Sequence, residues 1–235
     1  MKRRWFRAGL GAGVTAVVIA TTSTAAAAAT FGAHWAFDEP ASPPPTTAFD
    51  SSGNNNNGTN ENIAATGTSY AFNGTSSRVV VPDGSANSLD PGTADFTFSV
   101  TVTTDLPAAG TDYDLLRKGL ASTAGGDYKA EILNVNGVPK AFCLVKDSLK
   151  RVASVRGGGA TGHRLDDGFA HTISCVKTST SVTLTVDPGT AFTKTYKKTV
   201  TTLGSVSNAA DLTIGAKSGT GGDWFSGTML DAQLF

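Results

Sequence analysis

The sequence predicts an all-β fold: an antiparallel two-sheet β-sandwich or jelly roll. Three observations lead there. Apolar and polar residues alternate with period two in run after run, no stretch carries a convincing helical period, and clusters of Gly, Asn, Asp and Pro separate the runs. Period-two alternation gives a strand one apolar and one wet face, the mark of antiparallel sheets that cover a core on one side. About a dozen such strands cannot form one open twisted sheet, so they must divide into two packed layers.

The clearest strand is "FTFSVTVTT" (96–104). Phe96, Phe98, Val100 and Val102 share one face, and Thr97, Ser99, Thr101 and Thr103 the other. "SVTLTVD" (181–187) repeats the pattern, with Val182, Leu184 and Val186 opposite Thr183 and Thr185. In chain order, further strands are expected at "AHWAF", "SYAF", "RVVV", "YDLLRK", "YKAEIL", "KAFCLV", "RVASV", "HTISCVK", "TKTYKKTV", "DLTIGA" and the closing "LDAQLF". In that last strand alternation places Leu230, Ala232 and Leu234 inward and Asp231 outward. Turn residues in "VNGVP", "RGGGATG", "VDPGT" and "SGTGGDW" separate the runs.

The first residues speak to compartment. "MKRRWFR" is a basic start, the apolar run "AGLGAGVTAVVIA" follows, and "TTSTAAAAAT" offers the small residues a signal peptidase accepts. Residues 1–29 therefore read as a secretory signal peptide cleaved after Ala29, and residues 30–235 as one domain. An uncleaved membrane anchor is the competing reading, but the run falls short of the roughly 20 apolar residues a span needs. "RRWF" loosely resembles a twin-arginine export signal. The expected location is secreted, with no membrane contact once the signal is removed. Formal net charge is zero and charged residues make up only 16% of the chain, so there is no basic stripe for nucleic acid. The two cysteines, Cys143 and Cys175, suggest one disulfide in an exported chain.

The polar tract "AFDSSGNNNNGTNEN" (48–62) lies between strand-like segments and reads as a surface loop. Asp50, Ser51, Ser52 and Gly53 suit an Asx-type turn, and the asparagines tolerate left-handed backbone. Calcium also prefers such oxygens, but D-x-x-G lacks the EF-hand pattern of alternating ligands with a distant Glu.

The order of motifs resembles the concanavalin A-like, laminin-G-like jelly-roll domains of secreted bacterial proteins. "HWAFDE", "FDSSGNNNNGT", "YAFNGTSSRVVVP" and "LDPGTADFTFSVTV" carry the resemblance in the first half, and "DDGFAHTISCVK", "SVTLTVDPG" and "LTIGAK…DWFSG" in the second. Ala170 stands where the family usually has Trp, Pro188 interrupts the Asp-Gly turn, and Leu230 stands where the last strand usually has Asp. The resemblance implies one structural calcium, with Asp231, Asp38 and the Gly74 carbonyl as candidate ligands; Leu230 counts against it. It also implies that the strands of Cys143 and Cys175 are near neighbours.

Related enzymes on this fold carry glutamate-rich active strands, and glycosidases need two carboxyl groups roughly 5–10 Å apart. Here Glu39, Glu61 and Glu131 are far apart in sequence, and Glu131 has no acid two or five residues on. His34, His163 and His171 show no metal spacing, and there is no G-x-S-x-G elbow. "KSGTGGD" has no helix after it to cradle phosphate. The residues therefore argue against catalysis. Sugar binding needs only an exposed aromatic platform with amides or carboxylates. Trp224 and Asp223 in "SGTGGDWFSG" are candidates, with Tyr113 and Tyr128 flanked by Asp112, Asp114 and Asp127. The competing reading is that Trp224 and Phe225 cap the core. The expectation is a non-catalytic module for extracellular glycan or protein; the alternatives are a glycan-cleaving enzyme on the same fold and a structural exported protein.

Overall fold

The computed structural model describes residues 32–84, 87–158, 163–217 and 221–235. The signal peptide read over 1–29 lies outside them. Among the described residues there is no helix. The strands are β1 (Ala33–Trp35), β2 (Thr47–Ala48), β3 (Gly58–Glu61), β4 (Ala64–Ala65), β5 (Tyr70–Asn73), β6 (Arg78–Val81), β7 (Phe96–Thr104) and β8 (Asp112–Lys118). They continue as β9 (Asp127–Val135), β10 (Val138–Lys146), β11 (Val152–Gly157), β12 (His171–Thr178), β13 (Ser181–Val186), β14 (Lys194–Thr199), β15 (Leu212–Ile214) and β16 (Ser226–Leu234).

They form two antiparallel sheets packed as a sandwich. The first runs β14-β13-β12-β7-β16-β5-β4, with β1 paired to the far half of β16. The second runs β11-β10-β9-β8-β15-β6-β3-β2. Alternation works as the sequence dictates: Phe96, Phe98, Val100 and Val102 of β7 are buried, as are Val182, Leu184 and Val186 of β13. Between the sheets Tyr128 meets Phe96 and Phe98, each at 5.3 Å between ring centroids. Each such buried ring contributes about 1.5–3 kcal/mol relative to exposure.

Two elements depart from expectation. The last strand begins at Ser226 rather than Leu230, and a β-bulge sits between Met229 and Asp231. Met229 is buried and Leu230 is only half-buried, so the inward set is Met229, Ala232 and Leu234. The extra residue shifts the phase of the alternation. Asp231 still lies outside the core, where its Oδ2 is 2.7 Å from His34 Nε2. The polar tract, read as loop throughout, ends in a real strand: β3 inserts between β6 and β2. Polarity hid it, because Asn60 and Glu61 do not alternate with apolar residues. Gly58 permits the fit, since a Cβ there would stand 2.3 Å from Val79 Cγ1.

Upstream of β3 the tract is the expected Asx-type turn. Asp50 Oδ1 accepts from the backbone N–H groups of His34 and Ser52, both at 2.9 Å. Its Oδ2 accepts from Ser52 Oγ at 2.9 Å and the Asn56 N–H at 2.8 Å. Gly53 and Asn55 take the left-handed backbone the turn requires, at φ 90° and 59°. The indole N–H of buried Trp35 donates to the Asn56 carbonyl at 2.8 Å. The turn thus closes one end of the core. Burial raises the Asp50 pKa, but its donors outweigh that and hold the group below the usual carboxylate range. Asp50→Ala strips the acceptor from four donors and is expected to lower stability by about 2–3 kcal/mol in denaturant unfolding. Because the folded pKa is depressed, this contribution is present above the ordinary aspartate range and is lost as pH falls through the folded value.

Cys143 and Cys175 form a disulfide with Cα atoms 5.8 Å apart. Cys143 lies on β10 of the second sheet and Cys175 on β12 of the first, so the bond crosses the core and ties the layers together. Both half-cystines are fully buried. With a sequence separation of 32, the chain-entropy model assigns the cross-link about 3–4 kcal/mol. Replacing both cysteines with Ala is expected to lower unfolding free energy by that order with strand content unchanged by circular dichroism. Mass spectrometry of unreduced protein should show no alkylated thiol.

Candidate functional site

The outward-facing side of the second sheet carries the densest chemistry. Strand pairing sets Asp114 opposite Glu131, and Arg117 opposite both Lys129 and Thr213. Their neighbours Leu116, Ala130, Ile132 and Ile214 are buried core residues, so the charged set and Thr213 point away from the core. A bulge in β8 between Asp114 and Leu116 breaks strict alternation there. The segment 221–225 folds back beside it: the Asp114 N–H donates to the Asp223 carbonyl, and the Phe225 N–H to the carbonyl of Gly215, whose own N–H donates to the Leu115 carbonyl. This cover leaves Asp114 and Glu131 essentially without solvent exposure.

Arg117 holds the pair together. Its Nε donates to Asp114 Oδ1 at 2.9 Å and its Nη2 to Glu131 Oε1 at 2.8 Å; Lys129 Nζ also donates to Glu131 Oε1. Asp114 Oδ2 is buried with no donor of its own. Burial is the largest influence on Asp114; Arg117 opposes it and the adjacent Glu131 reinforces it, and the pKa rises to about 8. Asp114 therefore keeps its proton to higher pH than a free aspartate does. The sequence reading left Glu131 without a partner acid; cross-strand pairing provides one that linear spacing cannot reveal. The two carboxyls face each other across the β8–β9 pair, and both are sealed from solvent, whereas glycoside hydrolysis needs its carboxyl pair open to substrate.

Next to this network lies an open cavity of about 460 Å³, lined among others by Glu61, Arg78, Val80, Thr123, Asp211 and Thr213. Arg78 reaches Glu61 through Nε at 2.8 Å and Nη2 at 3.2 Å. Trp224, half-buried, carries the Arg78 guanidinium 5.8 Å from its ring centroid. Gly221, at φ 84°, lies under the indole; a Cβ there would stand 2.3 Å from the ring. Thr213 is 2% exposed, and its Oγ1 has no hydrogen-bond partner.

The other sequence candidates divide. Asp223 stays with Trp224 on this face, at φ 47°, its Oδ2 2.9 Å from Lys217 Nζ. Asp112 is close by; burial raises its pKa, with Glu131 and Asp223 adding to the shift. Tyr113 is half-buried and packs edge-on against Phe225, a core residue, at 5.8 Å. Tyr128 is corrected outright: it is fully buried between the sheets and donates to the Leu89 carbonyl at 2.9 Å, since it occupies an inward position of β9. Nor does the fold bring the candidate calcium ligands together. Gly74 neighbours Ser226, five residues before Asp231, which puts the two about 16 Å apart along β16. Asp38 is exposed, and Asp231 pairs with His34.

No family model matches the chain, and no curated protein matches it. Solved structures do match the fold. The chain is similar to the botulinum neurotoxin serotype D binding domain at 11% identity and TM-score 0.58, covering 86% of this chain and 47% of that one. It is similar to mouse laminin α1 chain domains LG4-5 at 16% identity and TM-score 0.52, covering 71% and 40%. A botulinum neurotoxin DC binding domain in complex with SialylT matches at 10% identity and TM-score 0.54, covering 80% and 45%. The chain spans under half the length of these structures. At such identities the likeness establishes the fold: a laminin G-like jelly-roll sandwich, shared with domains that bind.

The raised pKa has a stability consequence. Because Asp114 has a folded pKa of about 8 against an ordinary 3.8, its contribution is full below the ordinary value and is lost as pH rises through the folded one. The melting temperature is expected to fall between about pH 4 and about pH 8, and Asp114→Asn, which has the same shape and cannot ionise, should flatten that fall.

Proposed function

We propose that the protein is a secreted, non-catalytic module that binds extracellular carbohydrate on the outer face of its second sheet. The observation that carries this reading is the Thr213 hydroxyl. It is buried at the wall of an open polar cavity, with no partner inside the protein. An unpaired buried hydroxyl costs free energy unless something supplies the missing hydrogen bond, and a sugar hydroxyl both donates and accepts. Around it the cavity offers the Glu61–Arg78 pair and the Asp211 carboxylate. The Trp224 indole, half-buried with the Arg78 guanidinium over it, adds apolar aromatic surface next to Arg78. The solved structures with this fold include a receptor-binding domain and a binding domain in complex with SialylT, which supports the class of function without deciding the ligand. The disulfide supports export, since such bonds persist in oxidising compartments.

The test is a glycan array probed with protein secreted from the full-length chain. At least one glycan class should bind. Trp224→Ala and Thr213→Val should each weaken that binding about tenfold or more, equivalent to roughly 1.4 kcal/mol. No polysaccharide should release reducing sugar. Glycan binding untouched by both substitutions would refute the site. Absence of any glycan ligand, with capture of a protein partner that depends on Trp224, would replace carbohydrate by protein.

A further inference from the structure

A second cluster lies where the chain crosses from the second sheet to the first, away from the face just described. His163 precedes β12, His171 opens it, and Asp187 follows β13 with φ 52°. Asp187 is held firmly: its Oδ1 accepts the Thr172 N–H at 2.9 Å, and its own N–H donates to the Thr172 carbonyl at 2.8 Å. Its Oδ2 faces two imidazoles at once, His163 Nε2 at 2.6 Å and His171 Nδ1 at 2.9 Å. Behind the rings stands Asp167, with Oδ1 3.0 Å from His171 Nε2 and Oδ2 3.8 Å from His163 Nδ1. Phe192 stacks on His163 at 4.3 Å and 15°.

This arrangement poses a proton problem. Both nitrogens of His171 face carboxylates, yet a neutral imidazole has a single N–H. Either the ring is a cation between two acids, or one nitrogen offers its lone pair to something else. The inner side suits a metal ion. One donor atom from each of His163, His171 and Asp187 lies within 4.8 Å of the others. Asp167 then accepts the outer N–H of His171, the carboxylate–histidine arrangement that fixes a ligating imidazole.

We propose that His163 Nε2, His171 Nδ1 and Asp187 Oδ2 form a binding site for a divalent transition ion of the zinc class, with Asp167 positioning His171 from behind. Two imidazole nitrogens and one carboxylate oxygen match zinc or copper and not calcium, which takes oxygen donors. Metal–ligand bonds of about 2.0–2.2 Å require the two Asp187–imidazole contacts to lengthen by less than about 1 Å, and the two imidazole nitrogens, within 4.8 Å of each other, to draw together around the ion. The adjoining groove of about 380 Å³, lined also by Phe169, Thr190 and Phe192, gives that room and leaves a coordination position for water or a ligand oxygen. The exposed rings of Phe169 and Phe192, 73% and 54% accessible, make its rim apolar. The site stands independently of the carbohydrate reading.

Titration calorimetry with zinc on the chelator-treated, secreted protein tests it. One zinc per chain is expected with micromolar or tighter affinity, and cobalt in its place should give the intense visible absorption of a four-coordinate ion. His163→Ala should weaken zinc binding by about 100-fold or more, and Asp167→Asn by about 10–100-fold. His163 is partly exposed, so its loss leaves the fold intact even if Asp187→Asn, which disturbs the Thr172 anchor, does not fold. Absence of stoichiometric zinc binding, zinc binding by His163→Ala equal to the parent, or displacement of zinc by equimolar calcium would overturn the proposal.

Discussion

The dry contact between the two inner sheet faces governs what the rest of the chain can do. Any inward position must be apolar or have every polar group answered within the protein, because water does not reach it. The disulfide belongs to this contact, a covalent tie between β10 and β12 within the apolar layer. Where the inward rows run out, the chain uses lysines whose stems continue the apolar surface while their ammonium groups are fully engaged. Lys118 ends β8 and reaches Asp83 at 2.8 Å, Asp90 at 3.2 Å and the carbonyls of Asn208 and Ala210. Lys177 near the end of β12 donates to the carbonyls of Thr93 and Ala94 at 3.0 and 2.9 Å. Burial depresses the Lys177 pKa, and Asp95 and Asp147 partly offset this.

The same constraint shapes the outer face of the second sheet. Once segment 221–225 covers the β8 bulge, Asp114, Arg117 and Glu131 are shut off from water and must satisfy one another. Arg117 and Lys129 both face this pair, but desolvation of Asp114 with Glu131 beside it outweighs them and favours the protonated form. Such a network adds little net stability against an apolar substitute, but breaking it by removing one partner strands a buried charge. Asp223 is held through its carbonyl by the Asp114 backbone N–H and through its carboxylate by Lys217, which fixes the residue next to the indole.

The candidate sites were unevenly legible in the chain. Trp224 and Asp223 were visible because a lone Trp in a glycine-rich loop stands out against a Thr- and Ser-rich background. Tyr128 misled, because its neighbour Asp127 suggested a polar surface while alternation turns the two residues to opposite faces. Asp114 and Glu131 are 17 positions apart and meet only through the register of β8 on β9. The histidine cluster combines a separation of eight residues with an aspartate that joins only through the β12–β13 hairpin, so no short motif describes it.

Composition and period two were enough to determine an all-β sandwich, the inward rows of β7 and β13, and the Asx turn at Asp50. Each follows from interactions within a few residues: side-chain alternation along a pleated strand, or a carboxylate reaching its own backbone. The bulge that trades Leu230 for Met229, the insertion of polar β3 into a sheet, the cross-layer placement of Cys143 against Cys175 and the convergence of His163, His171 and Asp187 were decided by the tertiary structure alone. All four depend on which strands become neighbours and in what register. That choice is settled by the simultaneous burial of two whole sheet faces, a condition no local stretch of sequence contains.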